Sequence, residues 1–311
     1  MIKKVQSTRE IDYTGQSGIY LKVNPSARLA FFWMLGTSVF SILIGVSGRE
    51  LSSEMSLFQL MFCRNFVCLI ATICAMFFIG WDTIRTQFVG SHVIRNIIHF
   101  LATYLWFFGI VSIPMAEVFA LEFTTPLWTA ILAAVFLRER FGIRRVTGTL
   151  LGFVGVLVIL RPGIAMIHPA AFAVIGSAIM LATMYVLTKS VIAYDSPWTI
   201  LFWMNLVQLP ISLTFAIPDW TWPSTPLIPW VLLVGVAGFG IHYSISKALV
   251  YADASLVVPF DFFRLPLIAV VAWFLYKEAL DPFVFIGAMI IVCGNVLNVR
   301  GKRTNPNVTG Q

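Results

Sequence analysis

AEVFALEFTTPLWTAILAAVFLRERFGIRRVTGTLLGFVGVLVILR, residues 116–161, decides the reading of the fold, because a related stretch follows 139 residues later. Adding 139 carries Glu122 onto Asp261, Arg138 onto Lys277, Glu139 onto Glu278, Gly148 onto Gly287, Gly155 onto Gly294 and Arg161 onto Arg300. Six chemically matched positions over 46 residues, with no gap, indicate an internal duplication. An offset of 140 extends it upstream, where Gly36 meets Gly176, Arg49 meets Lys189 and Asn65 meets Asn205. Two copies of an apolar segment, each holding a carboxylate at an equivalent depth, point to a membrane transporter.

Composition agrees. The chain is 59% hydrophobic and 11% charged, with a mean hydropathy of +0.88, outside the soluble range. Ten apolar runs lie near 28–47, 57–79, 92–112, 116–137, 145–161, 169–190, 197–217, 227–250, 254–276 and 282–299. Most reach the roughly 20 residues a helix needs to cross about 30 Å of hydrocarbon; the fifth and tenth are shorter. Residues 1–27 and 302–311 read as polar cytoplasmic tails. The first run lies behind 27 mostly polar residues and precedes nine more, so it is expected to stay in the membrane rather than be cleaved. Cys63, Cys68, Cys74 and Cys293 all fall inside predicted spans without disulfide or metal spacing, and read as small apolar residues.

Positive charge sets the orientation. With the N-terminus inside, 15 of the 21 Lys and Arg face the cytoplasm, Arg95 among them. Arg49, Arg161 and Lys277 fall outside, while Arg64, Lys247 and Arg264 sit within spans. The expectation is therefore an all-α membrane protein of ten transmembrane helices, with both termini cytoplasmic. Five spans per half make the halves inverted relative to each other: residues 28–163 (helices 1–5) and 164–301 (helices 6–10). The net charge of +7 is the usual lining of a cytoplasmic membrane face and calls for no nucleic-acid partner. Asn307-Val308-Thr309 matches a glycosylation acceptor, but on that side it is unused.

Pro126-Leu127-Trp128, Phe136-Leu137-Arg138-Glu139-Arg140, Gly148, Gly152, Gly155 and Leu160-Arg161-Pro162 resemble the end of an EamA domain. The second copy is looser: Leu265-Pro266, Tyr276-Lys277-Glu278, Gly287, Gly294 and Arg300, with Gly301 in place of Pro162. The resemblance spans nearly all of residues 28–301 and places the chain in the drug/metabolite transporter superfamily. It implies a bacterial inner-membrane carrier of small organic molecules whose fourth and ninth helices line a central cavity.

Charges inside spans point to that cavity, since each costs a few kcal/mol unless it meets protein or water. Asp261 and Arg264 share a helical face. Two readings stand: a self-satisfied structural pair, or a zwitterion site with Asp261 facing an ammonium and Arg264 a carboxylate. Glu122 belongs to a stripe with Thr125, Pro126 and Thr129, and Pro126 frees a backbone carbonyl and favours a bend. A carboxylate at that depth can hold a proton, which makes Glu122 and Asp261 candidates for proton coupling. Arg64, seven residues into its span, needs an acid, a carbonyl or the substrate. His99 and His242 read as hydrogen-bonded packing residues or proton relays, and Lys247 as snorkelling to the cytoplasmic end or facing the cavity; with Trp106 among the deep tryptophans they join the candidate cavity set. Glu117, nearer the outer end, reads as an entrance charge.

The glycines of the fifth and tenth helices allow close contact, either within one chain or across a homodimer. No P-loop, His-Glu-x-x-His, Gly-x-Ser-x-Gly or metal spacing occurs, so neither cofactor nor metal is expected and a membrane-embedded enzyme is the weaker reading. The cargo implied by mixed charge and deep aromatics is an amphipathic zwitterion, such as an amino acid or a compound derived from one. A nucleobase-like or vitamin-like cargo is the alternative. Partners reduce to that small molecule and membrane lipid, with the protein as monomer or homodimer.

Overall fold

A computed structural model describes residues 26–136, 143–163, 166–191, 195–251 and 264–300. The first half contains α1 (Ala27–Leu51), α2 (Leu57–Ile79), α3 (Val89–Ser112), α4 (Met115–Glu122), α5 (Thr125–Phe136) and α6 (Ile143–Leu160). The second contains α7 (Pro169–Val191), α8 (Pro197–Ala216), α9 (Ile228–Tyr251), α10 (Arg264–Tyr276) and α11 (Pro282–Arg300). Helix starts follow capping chemistry. Ser26, Ser56 and Ser196 accept from the backbone N–H three residues on, at 3.3, 3.3 and 3.1 Å, and Pro197 occupies the first turn of α8. Gly80, with φ at +102°, ends α2 in a conformation that a side chain disfavours.

Six of these helices are long and apolar enough to cross a membrane: α1, α2, α3, α7, α8 and α9. α6, α10 and α11 contain shorter apolar stretches. The predicted fourth span is two helices, α4 and α5, interrupted at Phe123–Thr124. Large side chains face outward along the bundle, including Phe77 and Phe78 of α2, Leu150 of α6 and Met289 of α11, as lipid contact requires.

Helix pairing repeats the duplication. α1 packs on α9 as α3 packs on α7, and α2 packs on α9 as α8 packs on α3. α2 with α8 and α6 with α11 are pairs of equivalent helices. Exchanging the halves therefore returns these same pairings, as two copies related by a twofold axis would. The tightest seam is α6 against α11. A Cβ on Gly155 would lie 2.6 Å from the Gly287 carbonyl oxygen, and one on Gly294 would lie 2.4 Å from that of Gly148. These glycines thus seal the two halves of one chain, which decides between the two packing partners offered by the sequence. Between the halves, Ile110, Met115, Phe119, Leu121, Leu127, Ile268 and Ile291 form a fully buried core around α4.

Candidate functional site

The break in the fourth span starts from proline chemistry. Pro126 has no N–H for the Glu122 carbonyl four residues back, and the Thr125 hydroxyl donates to that carbonyl instead, at 2.7 Å. Thr124 Oγ1 donates to Leu121 O at 2.7 Å and Thr129 Oγ1 to Thr125 O at 2.9 Å. Asn295 of α11 reaches across from the other half and donates to Phe123 O at 2.9 Å. The hydroxyl protons of Thr125 and Thr129 are thus engaged by the backbone of the bend. The reason is local, since a hydroxyl beside a freed carbonyl finds its nearest acceptor there.

The break places Glu122 at the end of α4, between the halves. One carboxylate oxygen accepts from Trp106 Nε1 of α3 at 2.8 Å. The other meets Arg264 Nη2 of α10 at 3.2 Å. The Arg264 guanidinium also lies over the rings of Phe119 (4.9 Å) and Phe123 (5.3 Å). Arg264 thus pairs with the acid of the opposite half; Asp261, the partner expected on its own helix, lies outside the described residues. Side-chain exposures of 19% for Glu122 and 8% for Arg264 leave the pair largely out of water.

A second polar layer joins α2, α3 and α8. Arg64 Nη2 donates to Asn65 Oδ1 at 3.0 Å and to Gln208 Oε1 at 3.1 Å. Gln208 Nε2 meets His99 Nδ1 at 2.8 Å and the Asn96 carbonyl at 3.2 Å. His99 is near enough to Arg64, Arg95 and His242 to interact with them electrostatically. Lys247 of α9 lies over the Tyr243 ring, 5.6 Å from its centroid. Arg95 requires a correction: counted with the cytoplasmic charges, it is buried at 3% exposure and bonded to Asn96, Thr188 and the Ile200 carbonyl. Its place in the first half of α3 turns it toward α7 and α8 instead of the membrane face. Trp203 donates to the Ile84 carbonyl at 3.1 Å, beside the turn that follows α2.

Ion pairs also join the halves away from the centre. Arg49 meets Glu278 and is held to the Ile113 carbonyl at 2.7 Å, while Glu278 accepts from Met115 N at 2.9 Å. Arg161 meets Asp281 at 2.5 Å, and near it Glu117 and His168 help line a cavity of about 230 Å³. His92 meets Asp195 at 2.8 Å. Among the described residues no group of His, Cys, Asp and Glu could hold a metal ion. Gln208 and Asn295 escaped the sequence reading, since a lone amide in an apolar helix has no periodic signature. Only their positions inside predicted spans marked them.

A bundle built twice around charged groups shared between its copies is the build of a membrane transporter. Residues 28–161 and 168–300 each match the EamA-like transporter family, and the chain belongs to that family. The Riboflavin transporter of Vibrio cholerae is 32% identical over 214 residues, covering 68% of this chain and 72% of that protein. The S-adenosylmethionine uptake transporter of Rickettsia felis is 28% identical over 260 residues, covering 84% and 88%. The Riboflavin transporter of Rhizobium johnstonii is 28% identical over 225 residues, covering 72% and 74%. A solved crystal structure superposes with a TM-score of 0.62 at 18% identity, covering 89% of this chain and 97% of the other; it speaks for the fold alone. The protein is thus a multi-pass inner-membrane transporter of the drug/metabolite superfamily, not an enzyme.

Proposed function

We propose that the chain carries an amphipathic zwitterion, an amino acid or a compound derived from one, by exposing a site between its halves alternately to the two sides of the membrane. Ten spans arranged as inverted repeats over 28–163 and 164–301, with tails 1–27 and 302–311 in the cytoplasm, provide the moving bodies. The observation that carries the reading is the Glu122–Arg264 pair, which spans the halves beside Trp106. A substrate ammonium can take the Glu122 carboxylate from Arg264, and the indole offers a face for stacking. The cavity then comprises Glu122, Arg264, Arg64, Trp106, His99, His242, Lys247 and Asp261 around the bend at Pro126. Proton coupling, if present, falls to Glu122 or Asp261.

An S-adenosylmethionine carrier among the relatives supports a zwitterionic cargo of this size. A planar vitamin is the second reading, favoured by the 32% identity to a riboflavin carrier and by the aromatic rings of Trp106, Phe119 and Phe123 around the ion pair. The test is thermal stability of the purified protein against amino acids, S-adenosyl compounds and flavins. A ligand at a hundred times its Kd adds about 2.7 kcal/mol. A zwitterion that stabilises the wild type but not Glu122→Gln supports the first reading; stabilisation by flavins alone moves the assignment to the second.

A further inference from the structure

Two Arg-Asn dipeptides stand on neighbouring helices, Arg64-Asn65 in α2 and Arg95-Asn96 in α3. In each, the arginine Nη2 donates to the side-chain oxygen of the asparagine that follows, at 3.0 and 2.7 Å. A guanidinium only donates, so each bond fixes the amide, with its oxygen toward the arginine and its NH2 group away. Gln208 bridges the two pairs by accepting from Arg64 and donating to the Asn96 carbonyl. With its oxygen committed to Arg64, its nitrogen must donate to His99 Nδ1. That ring therefore carries its proton on Nε2 and is neutral.

The layer has charge and donors in excess. Arg64, Asn65, Arg95, Asn96, His99 and Gln208 are each at most 8% exposed. The acceptors that meet the two guanidinium groups are all neutral: three side-chain amides, the Thr188 hydroxyl and the Ile200 carbonyl. Among the described residues neither arginine has a carboxylate within 4.0 Å. Asp195, on α3's flank, is engaged by His92 and Thr86. Asn65 Nδ2, Asn96 Nδ2 and Arg95 Nε are buried with no acceptor at all. Buried charge without a counter-charge is costly, and packing does not demand it here, since the repeat puts Met204 where the first half has Arg64.

We propose that this layer is an oxyanion site, in which Arg64 and Arg95 bind a carboxylate or phosphate group of the cargo and the amide NH2 groups of Asn65 and Asn96 flank it. The site itself rests on the layer; its place in the cargo cycle rests on the zwitterion reading, with Glu122 taking the cationic end. The anionic end of the cargo is then read in the first half of the chain, at Arg64 and Arg95.

The experiment compares melting temperatures of the full-length protein in detergent at constant ionic strength, with chloride exchanged for acetate or for inorganic phosphate. Wild type, Arg64→Gln, Arg95→Gln and Gln208→Glu are run together. General salt effects act on all four alike, so the difference between proteins is the readout. Acetate or phosphate should raise the wild-type midpoint by several degrees beyond the gain of either arginine variant. The more effective anion identifies the group. Gln208→Glu places a carboxylate between the two pairs; it should melt above the wild type in chloride and lose the anion-specific gain. Equal gains in wild type and arginine variants overturn the proposal; if those variants do not fold, an undiminished gain in Gln208→Glu does so. S-adenosylmethionine and its decarboxylated form, tested next, separate the two claims. An anion-specific gain with no binding of S-adenosylmethionine or any amino acid keeps the oxyanion site and removes the zwitterion reading. Equal binding of both forms by the wild type removes the site from cargo recognition.

Discussion

Removing both sides of the Glu122–Arg264 pair should destabilise the protein by clearly less than the sum of removing each side alone. At 3.2 Å and an effective dielectric of about 20, the Coulomb attraction is about 5 kcal/mol before desolvation is subtracted. Glu122→Gln removes the carboxylate that meets the buried Arg264 guanidinium, and breaking such a pair typically costs about 3–5 kcal/mol. Gln still offers one oxygen to Trp106 or Arg264, so the lower end, about 3 kcal/mol, is expected. Arg264→Gln should cost about the same, by stranding the carboxylate. The double variant removes both charges of the pair and should recover about 2–3 kcal/mol of the summed loss. In a detergent melt followed by intrinsic fluorescence this corresponds to a drop of roughly 6 °C for each single variant and clearly less than twice that for the pair. Single variants melting within about 1 kcal/mol of wild type, or strictly additive losses, would show that the two halves are not coupled through this pair.

The remaining predictions concern the scaffold. Gly294→Ala puts a Cβ 2.4 Å from the Gly148 carbonyl and should cost about 1–3 kcal/mol. Gly90→Ala meets nothing within 4 Å and should gain about 0.5–1 kcal/mol of helix propensity, so the two melts should move in opposite directions. Asn295→Leu strands the Phe123 carbonyl and should cost about 1–3 kcal/mol, read as a lower midpoint. Glu54, in the loop before α2, accepts from the backbone N–H and hydroxyl of Ser224, which hold its carboxyl below the usual 4.5. A folded value below the unfolded one contributes stability above about pH 4.5 that is lost as pH falls through the folded value. Stability curves of Glu54→Gln should therefore be flatter than wild type on the acid side; superimposable acid limbs would refute the contribution.

Much of the fold was legible because it is written twice. The offset that carries Gly148 onto Gly287 also pairs α6 with α11, and Pro126 announced the bend by its missing N–H. What could not be read was which groups meet across the halves. Helical spacing set Arg264 beside Asp261, which lies outside the described residues; the contact of Arg264 with Glu122 depends on how α4 packs against α10, which no local period records. For Thr125 and Thr129, a hydroxyl beside a proline break has two candidate partners, cavity and backbone, and their donation to the backbone was visible only in the structure. Arg95 fell into the cytoplasmic tally because a charge near a span's end looks the same whether it turns outward to water or inward to Asn96, Thr188 and the Ile200 carbonyl. Arg64 and His99 were singled out by their places inside apolar spans; Gln208, the amide that connects them, appeared only with the packing of α8 against α2 and α3.

The central claim is that these two halves move a zwitterionic metabolite, and uptake into proteoliposomes tests it most directly. Protein reconstituted from detergent is given labelled S-adenosylmethionine, amino acids or riboflavin outside, with unlabelled compound inside to drive exchange. The account predicts saturable, time-dependent accumulation of a zwitterion above that of empty vesicles, abolished in Glu122→Gln. Accumulation of riboflavin alone, or zwitterion uptake unchanged in Glu122→Gln, would contradict it.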